Sequence, residues 1–155
     1  MDSRKRISIL VSILLLSMLA IPVLGNDAGT GGDAGNTTSS ATSLPATNGT
    51  YYGNLTASTD DSDYYLINMS SNTGIAVQIT YPSSTDFDLA LLNSGGGYID
   101  LSTNSGTTDD VTSNGTSVGG SSVYIWVDRY SGSGQYTMQI WIFSTGSSGG
   151  GGTGS

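Results

Sequence analysis

Three aspartates, Asp60, Asp61 and Asp63, fall within a stretch of four residues, just before a predicted strand. Because like charges at this spacing repel each other, the arrangement is costly unless a cation or solvent relieves it. Carboxylate oxygens are the hard ligands that calcium binds in proteins. The segment therefore predicts a calcium site, or alternatively a solvated turn in which the aspartates cap backbone amides.

The other side chains offer little for catalysis. The sequence contains no histidine, cysteine or glutamate, and its single lysine is Lys5. An enzyme of the familiar hydrolytic classes needs a nucleophile beside a base, or a pair of carboxylates with separated pKa values. No serine can pair with a histidine here, and no aspartate lies in the Asp-Thr/Ser-Gly setting of an aspartic protease. We therefore expect a protein that is not an enzyme.

Two further acidic pairs are interpreted as structural. In Asp86-Phe87-Asp88 the alternation of a strand would place both carboxylates on one face and Phe87 in the core. Asp109 and Asp110 lie among threonine and serine residues. This second pair most simply indicates an acidic loop.

Aromatic side chains form a second candidate site. In the run Val123 to Val127 the aliphatic residues alternate with Tyr124 and Trp126, so these two are predicted to face outward. Trp141 is predicted to face outward from the last strand. Tryptophan side chains exposed on a small domain present apolar area that calls for a functional explanation. A platform of aromatic rings stacks on sugars or peptide side chains. The alternative is that a loop or the N-terminal leader covers them.

Asparagine-linked glycosylation is a further possibility. Five tripeptides match N-x-[ST], the acceptor pattern, in a chain rich in serine and threonine, where several matches arise by chance. If the host glycosylates exported proteins, sugars at these sites would shield the sheet edges. The five candidates are Asn36, Asn48, Asn54, Asn68 and Asn114.

The two ends of the chain differ in composition from its middle. The basic run Arg4-Lys5-Arg6 and the apolar run after it are typical of a secretory signal peptide over residues 1–25. An uncleaved membrane anchor is the alternative. Residues 26–43 read as a Gly/Asp-rich leader, either disordered or held by a ligand, and residues 144–155 as a Gly/Ser-rich tail. We expect a secreted or cell-surface protein.

Charge narrows the range of partners. The formal net charge is -8, and Arg129 is the only basic residue beyond the predicted signal peptide. Such an acidic surface repels nucleic acid and anionic membranes and favours divalent cations. With no cysteine available for disulfides, a bound metal is one candidate for stabilising the small exported domain.

Between the two ends the chain reads as short strands separated by turn residues, the pattern of an all-β sandwich or barrel. The glycines between Asp128 and Gly134 predict a hairpin that joins the last two strands. Eight strands are predicted: Tyr51 to Leu55, Tyr64 to Met69, Gly74 to Tyr81, Asp88 to Leu92, Tyr98 to Ser102, Asp109 to Thr112, Ser122 to Val127 and Gln135 to Ile142.

Four stretches carry a family resemblance by their order and spacing. They are Gly32-Asp33-Ala34-Gly35-Asn36 with Ala41-Thr42-Ser43-Leu44, then Asp60 to Tyr65, then Thr85 to Leu91, and finally Tyr124 through Gly132 to Thr137. The chain resembles the bacterial and archaeal pre-peptidase C-terminal domain, which is related to the collagen-binding domains of clostridial collagenases. The resemblance implies a single antiparallel jelly-roll-like β-sandwich over residues 44–143. Trp126 and Trp141 depart from the usual family pattern.

The resemblance also implies a ligand set. In the collagen-binding relatives, calcium lies between the N-terminal linker and the corresponding acidic segment. Here that points to Asp33 and Asn36 meeting the Asp60, Asp61 and Asp63 segment, with Asp27 as a weaker candidate.

Two functions of different classes follow. The first is a secreted, non-catalytic binding or accessory module that docks an extracellular polymer or a partner protein. Ca²⁺ is its candidate cofactor and would hold the acidic segment. The second is a structural surface or filament subunit that self-assembles into a homo-oligomer. Peptidases accompany such domains in the family, but for this chain that connection is an analogy.

Overall fold

The computed structural model describes residues 26–146 of the chain. These residues form nine strands and one short 3-10 helix, and the predicted all-β fold is confirmed. The 3-10 helix is Asp27–Gly29, and the strands are β1 (Thr42–Leu44), β2 (Gly49–Leu55), β3 (Ser62–Asn68), β4 (Thr73–Thr80), β5 (Asp86–Asn93), β6 (Tyr98–Ser102), β7 (Thr108–Thr112), β8 (Ser122–Ser131) and β9 (Gly134–Ser144). All eight predicted strands are present, and only the short β1 was missed.

The strands form two sheets that pack face to face as a sandwich. The five-stranded sheet has the order β1-β3-β8-β5-β6, and the four-stranded sheet has the order β2-β9-β4-β7. Neighbouring strands run antiparallel except for β1 and β3, which are parallel. The predicted antiparallel sandwich is therefore confirmed, with one parallel pair at the edge.

Alternation along the strands builds the core between the sheets. In β8 the side chains of Val123, Ile125 and Val127 are buried, and in β9 those of Met138 and Ile140 are buried. Because successive side chains of a strand point to opposite faces, the residues between them face outward. The aliphatic stripes read from the sequence are the inner faces of the two sheets.

The predicted hairpin between β8 and β9 is wrong. β8 pairs with β3 and β5 in one sheet, whereas β9 pairs with β2 and β4 in the other. The connection crosses from sheet to sheet through Gly132, which has φ +76°. A Cβ there would lie 2.7 Å from the Ser84 carbonyl oxygen. The glycine is thus needed for a tight crossing and does not make a two-strand turn.

The segment predicted as a leader, residues 26–43, contains the 3-10 helix, a single bridge from Gly35 to Tyr64, and the first residues of β1. At the other end, β9 runs on to Ser144. The predicted signal peptide, with its membrane-anchor alternative, and residues 147–155 of the predicted tail lie outside the described residues. Within residues 26–146, none of the helical segments has the length and apolar character to cross a bilayer.

Candidate functional site

Four carboxylates converge where the N-terminal segment meets the sandwich. Asp27, Asp33, Asp60 and Asp63 each offer an oxygen, and these oxygens all lie within 4.8 Å of one another. Two of the residues come from the segment before β1, one precedes β3, and Asp63 is the second residue of β3. We call these four residues the acidic cluster.

Backbone amides hold Asp27 in place. Its Oδ2 accepts a hydrogen bond from the Ala34 amide at 3.0 Å, and its Oδ1 accepts one from the Asn54 amide at 3.0 Å. The Gly35 carbonyl accepts a further bond from the Tyr64 amide at 2.9 Å. Since Asn54 belongs to β2 and Tyr64 to β3, the N-terminal segment is bonded to one strand of each sheet. It is therefore ordered by its own contacts.

Asp63 lies on the inner face of β3 with an exposed fraction of 0%. Its Oδ2 accepts a hydrogen bond from the Tyr136 hydroxyl at 2.6 Å, and the Tyr136 and Tyr65 hydroxyl oxygens are 2.7 Å apart. Gly53 makes room for this arrangement, because a Cβ there would lie 2.3 Å from the Tyr136 ring. The second carboxylate oxygen of Asp63, Oδ1, has no hydrogen-bond partner.

Burial and mutual repulsion make the cluster hard to ionise. Burial raises the pKa of Asp27 to about 6, with a further rise from Asp33 that the amide bonds oppose. Burial and the charge of Asp33 raise the pKa of Asp60 to about 7. Burial raises the pKa of Asp63 to about 9, and the charges of the other three cluster residues add to it, against the Tyr136 hydrogen bond. Metal-free, the cluster therefore retains protons near neutral pH.

The cluster could hold a hard cation. Its oxygens lie within 4.8 Å of one another, which is close enough for one calcium ion with ligands at about 2.3–2.6 Å to contact them together. Asp63 Oδ1 and Asp60 Oδ1 are buried without hydrogen-bond partners, so each has a lone pair to give. Arg129 is the only basic residue among residues 26–146, and it forms an ion pair with Asp61, which is not a member of the acidic cluster. A cluster of buried acidic residues that could hold a metal ion is thus present.

The predicted ligand set is only partly brought together. Asp33, Asp60 and Asp63 come together, and Asp27, which was predicted to be a weaker candidate, is the fourth member of the cluster. Asp61 points away: it is exposed, and its Oδ1 lies 2.6 Å from Arg129 Nη2 in an ion pair. Asp61 is not governed by the alternation of β3. It lies before β3 and turns to meet β8.

Asn36 is exposed, one residue beyond the Gly35 bridge to β3. Its role as a metal ligand stays a prediction.

The three predicted platform aromatics do not form one surface. Tyr124 and Trp126 lie on the outer face of the five-stranded sheet, whereas Trp141 lies on the outer face of the four-stranded sheet. Trp141 is 42% exposed. Tyr124 and Trp126 are half-buried, and the Trp126 ring stacks on Tyr64 with centroids 5.6 Å apart. The three side chains therefore cannot form a single ligand platform. A ligand could contact Tyr124 and Trp126 on one sheet, or Trp141 on the other.

The glycosylation candidates differ in accessibility. Asn54 is half-buried, and its Nδ2 donates to Thr56 Oγ1 at 3.0 Å. The exposed candidates are Asn36, Asn48, Asn68 and Asn114. Glycosylation stays a prediction at all five sites.

One buried polar residue was missed. Asp109, interpreted as part of a loop, lies in β7 with an exposed fraction of 0%. Its carboxylate accepts hydrogen bonds from the Tyr81 and Ser102 hydroxyls and from the Asn104 amide. The signal that could have found it is the alternation with Val111, which places both side chains on the inner face. Asp86 and Asp88 flank the buried Phe87 as predicted.

No protein-family model and no curated protein matches the sequence. Among solved structures, the chain is similar to the pre-peptidase C-terminal domain of a collagenase from Bacillus anthracis, at 18% identity and a TM-score of 0.54. The match covers 64% of this chain and 93% of that domain. The fold is thus that of a pre-peptidase C-terminal type β-sandwich, as the sequence resemblance predicted.

Two other similar structures have lower TM-scores. The periplasmic inhibitor of g-type lysozyme from Aeromonas hydrophila has 14% identity and a TM-score of 0.47, over 66% of this chain and 96% of that one. A mitogen from Yersinia pseudotuberculosis has 15% identity and a TM-score of 0.47, over 66% of this chain and 91% of that one.

Proposed function

We propose that this protein is an exported, non-catalytic binding module whose N-terminal segment is held against the sandwich by calcium. The observation that carries the proposal is the convergence of four carboxylate oxygens from the N-terminal segment and the edge of β3 within 4.8 Å. A cation there would join the segment before β1 to the core of the sandwich. It would do the work that a disulfide does in many small exported domains.

The donor set favours calcium over other metals. Zinc sites in proteins are built largely from cysteine and histidine, and this sequence contains neither. Magnesium requires near-ideal octahedral geometry with ligands at about 2.0–2.1 Å, whereas calcium accepts six to eight oxygens in flexible arrangements. Asp27 is fixed by backbone amides and Asp63 by Tyr136, so an ion that tolerates irregular ligand geometry suits the cluster better. Water and carbonyl oxygens would complete the coordination.

The absence of paired catalytic groups in the sequence supports a binding role. Asp27, Asp60 and Asp63 have raised pKa values for structural reasons, namely burial and repulsion by the other carboxylates of the cluster. The collagenase neighbour is itself a domain attached to a peptidase. We infer an accessory role outside the cell for this chain, with an extracellular polymer or protein as its partner.

The proposal is tested by calorimetric titration of the full chain with CaCl₂ and, separately, with MgCl₂ at equal ionic strength. We expect one calcium site and much weaker heat from magnesium. Asp63→Asn and Asp27→Asn should each abolish or greatly weaken binding. Asp110→Asn is the matched control, because it removes the same charge from an exposed position on β7.

Calcium heats that persist unchanged in Asp63→Asn would overturn the proposed site. Equal losses of calcium binding in Asp63→Asn and Asp110→Asn would mean that calcium binding is a general effect of negative charge and not a property of the acidic cluster. Absence of any calcium heat in the wild-type chain would leave the cluster as a buried, protonated network.

A further inference from the structure

The outer face of the five-stranded sheet carries an aromatic and apolar row. Strand pairing places Tyr64, Trp126, Ala90 and Leu101 side by side across β3, β8, β5 and β6. Ala90 lies on the outer face, but it is only 1% exposed because the larger side chains around it shield it from solvent. A small residue between Trp126 and Leu101 leaves a depression with an apolar floor.

A row of polar residues lies next to the aromatic and apolar row, two residues away along the same strands. Here Ser62, Asp128 and Asp88 are side by side across β3, β8 and β5. Asp128 Oδ1 accepts a hydrogen bond from Ser62 Oγ at 2.6 Å. Asp88 is directly opposite Asp128, and two like charges in this position destabilise a sheet. Burial and the charges of Asp86, Asp109 and Asp128 raise the pKa of Asp88.

Residues 26–146 supply no free positive charge to offset this pair. Arg129 is the only basic residue among residues 26–146, and its guanidinium is engaged by Asp61, with Nε and Nη2 at 2.7 and 2.6 Å from Oδ1. The opposed carboxylates of Asp88 and Asp128 therefore lack a cation. Their free energy cost would be relieved by a ligand that brings one.

The two rows enclose a pocket of about 170 Å³. Its lining combines the carboxylates with aromatic and apolar side chains, and Tyr98 and Leu101 are 60% and 50% exposed. The lining residues include Asp88, Ala90, Tyr98, Leu101, Trp126 and Asp128. A second cavity shares Asp88 and Thr103 with it and adds Asp86 and Tyr130. We call the two together the acidic-aromatic groove.

We propose that the acidic-aromatic groove binds an arginine side chain of an extended segment of a partner protein. The aliphatic stem would lie over Ala90 and Leu101 in the apolar row. The guanidinium would reach the carboxylates of Asp88 and Asp128, which its planar fork can engage together. Trp126 and Tyr98 offer ring faces for cation–π contact.

Charge favours a cationic peptide over a polysaccharide. A neutral sugar could stack on Trp126, but it would leave Asp88 and Asp128 facing each other without a counter-charge. Arginine satisfies the apolar row and the acidic row at once, and it is more weakly hydrated than lysine, so it loses less on entering the pocket. The inference rests on the proposed function as a binding module, and it does not require the calcium site.

The test is titration of the ¹⁵N-labelled full chain with the peptide Ac-Gly-Ser-Gly-Arg-Gly-Arg-Gly-Ser-Gly-NH₂ at 0.15 M salt. The chain has two tryptophans, so two indole signals report on the two outer faces. We expect the Trp126 signal to move and the Trp141 signal to stay. Replacing both arginines by citrulline, which keeps the shape and removes the charge, should weaken binding about tenfold or more.

Variants locate the effect. Asp88→Asn and Asp128→Asn should each weaken binding by roughly threefold to tenfold. Asp110→Asn, the same charge change on the outer face of the other sheet, should leave it unchanged. A lysine version of the peptide should bind more weakly than the arginine version. The titration is repeated with calcium and with a chelator, so that failure of the calcium site and failure of the groove give different results.

Three outcomes would overturn the proposal. One is a Trp126 signal that does not move with the arginine peptide while calcium binds normally. Another is equal binding of the arginine and citrulline peptides. The third is a Trp126 shift produced by cellohexaose or chitohexaose and not by the peptide, which would assign the face to a polysaccharide.

Discussion

Raising the pH is expected to destabilise the protein when no metal is bound. The pKa values of Asp27, Asp60 and Asp63 are raised to about 6, 7 and 9, whereas an aspartate in an unfolded chain titrates near 3.9. The folded state therefore binds more protons than the unfolded state across this range. Stability contributed by these groups is complete below about pH 4 and is lost as the pH rises through the folded pKa values. Asp63 is the last to be lost, near pH 9.

Asp63 sets the magnitude because it is fully buried. One pKa unit corresponds to about 1.36 kcal/mol, so its shift is worth several kcal/mol. Small domains unfold with a free energy of about 5–15 kcal/mol, and the loss is a large fraction of that. A loss of about 3 kcal/mol would lower the unfolding midpoint by on the order of 10 °C in a domain of this size. A calcium ion bound in the cluster would take the place of the protons, so calcium should flatten the profile.

The assay is thermal unfolding of the full chain, followed by circular dichroism between pH 5 and pH 9, in EDTA and in excess CaCl₂ at equal ionic strength. In EDTA the midpoint should fall with pH, and in calcium it should fall much less. Asp63→Asn keeps an oxygen that can accept from Tyr136 but cannot ionise. This variant should have a flatter profile in EDTA and should no longer respond to calcium. A midpoint that rises from pH 5 to pH 8 in EDTA, or an unchanged slope in Asp63→Asn, would refute the reasoning.

Two further substitutions test the supports of the fold. Gly53→Ala puts a methyl group 2.3 Å from the Tyr136 ring and should cost about 1–3 kcal/mol in urea unfolding; it should also weaken the calcium response, whereas an unchanged response would separate Tyr136 from the site. Asp109→Ala removes the buried carboxylate that accepts from the Tyr81 and Ser102 hydroxyls and from the Asn104 amide and should cost at least about 2 kcal/mol. Its calcium-induced shift in midpoint should remain, and loss of that shift would contradict independent sites.

Local patterns predicted the strands and their inner faces well. The alternation in β8 and β9 depends on neighbouring residues alone, so Val123 and Met138 could be assigned to the core without knowing any partner strand. The buried Phe87 between two outward carboxylates followed from the same rule. Turn residues marked the ends of strands closely for the same reason.

Long-range pairing could not be read from the same patterns. A short glycine-containing connection fits both a hairpin and a crossing between sheets, and the choice between them is made by β2, β3, β4 and β5, which pair with β8 and β9 from distant parts of the chain. Asp27 carries no local sign of its role, because the Asn54 amide that fixes it lies in β2. Asp61 matched the acidic pattern as well as Asp63 did. The structure distinguishes the two residues by the position of Arg129, which forms an ion pair with Asp61.

The start of β3 joins the acidic cluster to the acidic-aromatic groove. Asp63 faces inward to the cluster, while Ser62 and Tyr64 on either side of it face outward, where they contact Asp128 and Trp126. Because successive residues of a strand share one backbone, fixing the inner carboxylate also fixes the positions of the two outer side chains. The Asp61 ion pair with Arg129 ties the same stretch to β8. Metal binding on the inside of the strand would therefore steady the two side chains that support Asp128 and Trp126, which line the groove.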